Sequence, residues 1–173
     1  MNEDPSAKTS RDGHSELTGQ YLTFLLSGET YAVDGRSVRE IIQYSSMTAV
    51  PLMPDFVRGV INLRGAVVPV IDLQARLGGQ VTEFGSKTCI VIFDVSHDGE
   101  HTELGLMVDA VSEVIAITGS EIEPPPQFGG GLRRDFIRGM AKVGGRFIII
   151  LETDKALDIG EMADQIERTQ NGS

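Results

Sequence analysis

Cysteine occurs once in this chain, at Cys89. A single cysteine closes no intrachain disulfide, so the sequence carries no mark of an oxidising compartment. Cys89 sits in an apolar run, where a small buried hydrophobe explains it better than a nucleophile or redox sensor. Excess positive charge is lacking too: 15 Lys and Arg stand against 25 Asp and Glu, a formal net charge of −10. That balance repels phosphates and anionic headgroups, which argues against nucleic acid or membrane binding as the main task. No apolar stretch approaches the roughly 20 residues that span a bilayer. Met1 to Leu17 lacks the apolar centre of a signal peptide. Residues 1–18 therefore read as a disordered tail, and the cytoplasm is the expected location.

Motifs that carry chemistry are equally scarce. No nucleophile elbow, phosphate loop or dinucleotide fingerprint occurs. Asp94-Val95-Ser96-His97-Asp98-Gly99 begins like a calcium loop, but the position that needs a bidentate Glu is Gly105. Asp98-Gly99 reads better as a hairpin turn. His97 and His101 would share a helix face as metal ligands, but a hairpin loop does not bring them together. Gly129 to Gly131 lacks a Lys-Ser/Thr partner and reads as loop. No catalytic residue, metal or cofactor is expected. Arg133, Arg134 and Arg138 form the densest basic cluster, as suited to docking an acidic partner as to a solvated loop.

What the chain does have is strand-forming sequence. Tyr21 to Leu26, Tyr31 to Val33 and Val38 to Ile42 are aromatic or β-branched runs separated by turn residues. Val60 to Leu63 runs into Arg64-Gly65, and Ala66 to Leu73 runs back, the strongest hairpin in the sequence. Pro69 cannot donate to a ladder, so the return strand is expected at an edge. Thr88 to Phe93, Glu103 to Val111 and the fully apolar Phe147 to Leu151 add further strands, the last expected to be buried on both faces. Asp154 to Arg168 has the spacing of an amphipathic helix.

The chain also repeats itself. Phe56-Val57-Arg58-Gly59 returns as Phe136-Ile137-Arg138-Gly139, 80 positions later, and Gly65 returns as Gly145 at the same offset. Val38-Arg39-Glu40-Ile41-Ile42 returns as Val111-Ser112-Glu113-Val114-Ile115, 73 positions later. Two matches in one order indicate duplication of a small β-module that needs a partner to bury its core. Two charges stand out against their surroundings. Glu40 interrupts a largely apolar strand, and Arg64 caps the tip of an apolar hairpin. A charged rim on an apolar surface is the anatomy of a protein interface; charges that discourage edge aggregation are the alternative.

These residues resemble the CheW family of chemotaxis adaptors. The likeness rests on Val38 to Ile42, the proline loop, Phe56 to Gly65 with its Asn-Leu-Arg-Gly hairpin, Val68 to Leu73, Gly105 to Val111 and Phe136 to Gly139. It extends over about Gly19 to Leu157. The resemblance implies an all-β fold of two packed five-stranded SH3-like β-barrels with a short C-terminal helix. The CheW-like domain would cover 19–158, in modules of about 19–77 and 87–158 with strand exchange left open, followed by a helix or tail over 159–173. It implies no enzyme activity. It implies an adaptor joining chemoreceptor signalling tips to the regulatory domain of a CheA-type histidine kinase, with a different CheA-like pathway controlling motility or gene expression as the alternative. The positions matching the family's contact motifs are Val38, Glu40, Gly59, Arg64 and Gly65. Gly105 and Gly139 match family glycines of structural type, and Gly145 matches through the repeat.

Overall fold

A computed structural model describes residues 18–125 and 134–171. The N-terminal tail before Thr18, Gly129 to Gly131 and Arg133 lie outside these residues.

The strands run β1 (Thr18–Leu26), β2 (Glu29–Asp34), β3 (Val38–Gln43), β4 (Val57–Leu63), β5 (Ala66–Asp72), β6 (Cys89–His97), β7 (Glu100–Val108), β8 (Ala110–Thr118), β9 (Ile122–Glu123), β10 (Ile137–Val143) and β11 (Arg146–Leu151). Short helices α1 (Leu73–Arg76) and α2 (Thr153–Ala156) follow the last strand of each half, and α3 (Ile159–Asn171) closes the chain. The amphipathic segment thus divides into two helices at Leu157 and Asp158. Among the described residues, no helix is long and apolar enough to cross a membrane.

Four hairpins carry tight turns at Ser27-Gly28, Arg64-Gly65, Asp98-Gly99 and Gly144-Gly145, each with both central residues at positive φ. That backbone matches the right-handed twist of the flanking strands. The Asp98-Gly99 segment is therefore a hairpin turn, as its sequence indicates.

The strands form two sheets, a six-stranded one in the order β8-β1-β2-β11-β10-β9 and a five-stranded one in the order β3-β6-β7-β5-β4. Neither ladder closes, so two closed five-stranded barrels are not what the hydrogen bonds describe. The two edges of each sheet instead come from one stretch of chain. The segment from β8 to β9 supplies both edges of the larger sheet, and a bridge from Thr48 to Val60 brings the chain after β3 against β4.

The duplicated halves trade their first hairpins. β1 pairs with β8 and β2 runs parallel to β11, while β6 pairs with β3 and β7 runs parallel to β5. A short two-stranded ribbon is unstable alone, and each half completes its sheet with the ribbon of the other. The exchange explains Pro69. β5 lies inside the sheet, not at its edge, but its ladder to β7 begins at Val70, one residue past the proline.

Three apolar clusters result. One lies within each sheet, around Ile117, Ile148 and Ile150 in the larger and around Val70, Ile92 and Met107 in the smaller. The third and largest lies between the sheets and includes Phe24, Phe93 and Phe136. β11 is buried from Ile148 to Leu151, but Phe147 at its start is exposed.

Arg76, at the end of α1, is the polar pin of the central cluster. Its guanidinium lies 5.1 Å from the Phe56 ring and 4.8 Å from the Phe136 ring, the two repeat-equivalent phenylalanines. It donates to the Ala156 carbonyl at 2.8 Å and to Glu161 of α3 at 2.5 Å. A guanidinium is planar and weakly hydrated, so it can stack on both rings and still spend its donors at the edge. This one side chain ties both halves and the C-terminal helix together.

Candidate functional site

Val38 and Glu40 are both half-buried, but Val38 lies opposite Phe93 and packs on the central cluster, whereas Glu40 lies opposite Ile92, which belongs to the cluster of the five-stranded sheet. A register irregularity between Val38 and Glu40 bends the strand where it pairs with β6. Across the open side of the same sheet stands the β4–β5 turn. Arg64 has φ 53° and Gly65 φ 86°, and the Gly65 N–H donates to the Asn62 side chain at 3.1 Å. A side chain at Gly65 would find room but not an easy backbone.

The two charges that stand out in the sequence meet here. Arg64 Nη2 lies 2.7 Å from Glu40 Oε1. The pair links the two edge strands of the five-stranded sheet, β3 and β4. The Arg64 hydrogen bond, before any longer-range attraction, holds the Glu40 carboxyl below its ordinary range, and Glu40 in turn raises the Arg64 guanidinium. Arg64 remains 66% exposed at its side chain while it engages Glu40. A second surface network lies along the same sheet, where Asp94 accepts from Arg39 at 2.7 Å and faces His101 at 3.2 Å. Arg39 is the main reason that the Asp94 carboxyl is lowered.

Gly59 stands apart from this group. It has φ 153°, and a Cβ placed on it would overlap the Thr48 carbonyl oxygen. Its repeat mate Gly139 faces the Glu123 carbonyl in the same way, and both sit at a register irregularity of their hairpin. Gly105 faces Ile90 at a separation no Cβ tolerates, while Gly145 has φ 81° with open space around it. These geometries concern backbone approach and turn conformation. Glu40 and Arg64 meet directly and Gly65 adjoins Arg64, whereas Val38 packs on the central cluster and Gly59 lies near the start of β4.

Three features are not visible residue by residue. One is Arg76. Another is the wholly buried Asp72, which accepts from Arg58, the Thr82 N–H, the Thr82 hydroxyl and the Ala75 N–H. The third is a set of exposed apolar side chains at repeat-equivalent positions: Ile41 with Val114, and Val67 with Phe147. The signal for the last set is the repeat, since its offsets of 73 and 80 pair these same residues.

Among the described residues, no group of three His, Cys, Asp or Glu side chains could hold a metal ion. His97 lies 3.4 Å from the exposed Asp98 carboxylate and His101 beside Asp94, as turn residues rather than one cluster. Arg138 donates to the Tyr21 hydroxyl at 3.4 Å, while Arg133 lies outside the described residues. The five-stranded sheet thus carries one charge pair that bridges its edges, with Ile41 and Val67 exposed on its strands.

Comparison with known proteins places the chain in a family. A family model described as the CheW-like domain matches residues 20–161. The chain is 35% identical over 149 residues to the chemotaxis protein CheW of Klebsiella aerogenes, covering 86% of this chain and 87% of that protein. It is 36% identical over 149 residues to a probable chemotaxis protein CheW of Rhizobium etli, covering 86% and 91%. Its fold superposes on the crystal structure of the scaffolding protein TtCheW from Thermoanaerobacter tengcongensis with a TM-score of 0.68 and 37% sequence identity, covering 80% of this chain and 87% of that one.

Proposed function

Since this chain belongs to the CheW-like domain family, we propose that it is a chemotaxis adaptor that couples the cytoplasmic signalling tip of a chemoreceptor to the regulatory domain of a CheA-type histidine kinase. The role is non-catalytic and needs no cofactor: the chain holds two partners in fixed relation, and the chemistry belongs to the kinase. The observation that supports the reading most directly is the Glu40–Arg64 pair on the rigid end of the five-stranded sheet. Val38, Glu40, Arg64 and Gly65 form the contact surface in this reading. Gly59 shapes it from within, by letting the chain after β3 close against β4.

The physical logic is that of a preorganised interface. Hairpin tips ordinarily move, and ordering them on binding costs affinity. Glu40 holds the Arg64 tip in place beforehand, so less ordering remains for the partner to drive. Charges at a rim act on partner choice and encounter rate more than on raw affinity.

The deciding experiment is a pull-down of purified protein against a CheA-type regulatory domain and, separately, a receptor signalling fragment. Both should be captured. Capture of neither would sink the proposal.

A further inference from the structure

The two halves treat one equivalent site differently. In the first half, the chain leaving α1 folds back as an extended strap over residues 80–84. Arg58 donates to Asp72 at 2.7 Å and to the Thr82 carbonyl at 2.8 Å. Asp72 takes the Thr82 N–H at 2.8 Å and its hydroxyl at 2.9 Å. Two residues on, Phe84 lies under the Arg58 guanidinium at 4.6 Å and stacks on Tyr44, ring centroids 4.2 Å apart. An Arg–carboxylate pair thus reads an extended Thr-x-Phe segment: one backbone N–H, one carbonyl, one hydroxyl and one aromatic face.

In the second half, Arg138 stands where Arg58 does and Glu152 where Asp72 does, 80 positions later. The equivalence holds in structure, because α2 follows β11 as α1 follows β5, and Glu152 N–H donates to the Phe136 carbonyl as Asp72 N–H does to Phe56. Here, however, the chain after α2 becomes α3 and crosses to Arg76. Among the described residues, no strap returns over Arg138. An open cavity of about 660 Å³ lies there instead, lined by Asp34, Arg36, Arg138, Glu152, Thr153 and Asp154. Asp72 spends one oxygen on capping α1, whereas the Glu152 side chain does not cap α2.

We propose that the Arg138–Glu152 cavity is a peptide-binding site that takes an extended segment of a partner protein bearing a hydroxyl side chain followed two residues later by an aromatic one, in the manner of the internal strap. Arg138 donates to the segment's carbonyl and stacks on its aromatic ring, and Glu152 accepts the N–H and hydroxyl. The sequence outside the described residues does not carry that pattern. Residues 1–17 contain no Phe, Tyr or Trp, and Phe128 is preceded two positions earlier by Pro126. The site lies on β10 and β11, on the other sheet from the Glu40–Arg64 pair, and stands independently of what that pair contacts.

The test uses the strap as its own probe. A synthetic peptide of sequence GQVTEFGS, residues 79–86, is titrated into the isotope-labelled full chain and followed by amide NMR. Saturable shifts are expected at Arg138, Glu152 and Thr153. Affinity should fall about tenfold in R138A, in keeping with loss of a charge-assisted hydrogen bond. It should fall similarly when the Thr or Phe of the peptide is replaced by Ala. E152Q keeps the shape and removes the charge, and it decides the matter if R138A fails to fold. The proposal is overturned if no shifts appear up to about 5 mM, a concentration that would reveal even weak binding. It is also overturned if shifts appear only around Arg58 and Tyr44, or if E152Q and a folded R138A bind as the wild type does.

Discussion

Arg64, at the tip of one hairpin, reaches 2.7 Å to Glu40, a residue of a strand that never pairs with that hairpin through its own ladder. The contact joins the two edges of the five-stranded sheet and turns a hairpin tip into a fixed projection. If that geometry is what partners recognise, its charges can be exchanged but not removed.

Reversing either charge alone, in R64E or E40R, should weaken kinase and receptor binding about tenfold or more, as loss of an interfacial charge does. The melting temperature should barely move, because exposed ion pairs add little to stability. The double exchange should recover part of the binding. Isothermal titration of the four proteins decides: a double variant as weak as the single ones would mean that the partner reads each charge separately.

The glycine pair tests the repeat. G139A must push a Cβ into the Glu123 carbonyl and Ile122, and G59A must do the same against Thr48 with an unfavourable φ as well. Overpacking of this kind costs about 1–3 kcal/mol, and the φ at Gly59 adds a further ~1 kcal/mol or more. Urea unfolding should therefore rank wild type above G139A and G139A above G59A. Equal stability of all three would mean that the neighbouring loops yield without strain.

Arg76 should prove costly to remove. R76A leaves Phe56 and Phe136 without their shared cation and frees α3 from its anchor, for a loss of about 3 kcal/mol. R76K keeps the charge but not the planar fork, and should rescue little. Hydrogen exchange should speed up first in residues 159–171. Unchanged protection there would show that Met162 and its apolar neighbours hold the helix unaided.

Three carboxyls should titrate low. Hydrogen bonds from Arg36, Arg64 and Arg39 draw Asp34, Glu40 and Asp94 below their ordinary values. A depressed folded-state pKa contributes stability that is present above the ordinary carboxylate pKa and is lost as pH falls through the lowered one. The acid side of the stability profile should therefore steepen below about pH 4, where free carboxyls protonate. Carboxyl carbon NMR of R64A should show Glu40 moving back upward while Asp94 stays put. A Glu40 midpoint untouched by R64A would rule out the bond as its cause.

Much of this architecture is legible in residue order, because the forces involved act over a few positions. Turn dipeptides such as Asp98-Gly99 and Arg64-Gly65 set their hairpins locally through positive φ, and β-branched and aromatic residues mark strands such as Tyr21 to Leu26. The repeat is visible because equivalent glycines meet equivalent carbonyls in both halves. The family, and with it the adaptor role, follows from the same short motifs.

Partner choice among strands is beyond that reach. Nothing local to β1 states that it lies against β8 and not β3, since either strand presents a suitable period-two face; the choice depends on what the whole chain can bury at once. Pro69 misleads for that reason, its tolerance depending on where a parallel neighbour's ladder begins. The stacking of Arg76 between two phenylalanines 80 residues apart, and the strap held over Arg58 in the first half, likewise arise only when distant segments compete for one volume. Strands, turns and family are thus written in local residue order. Tertiary packing, which weighs non-local burial against chain connectivity, selects which ribbon completes which sheet and brings Glu40 to Arg64.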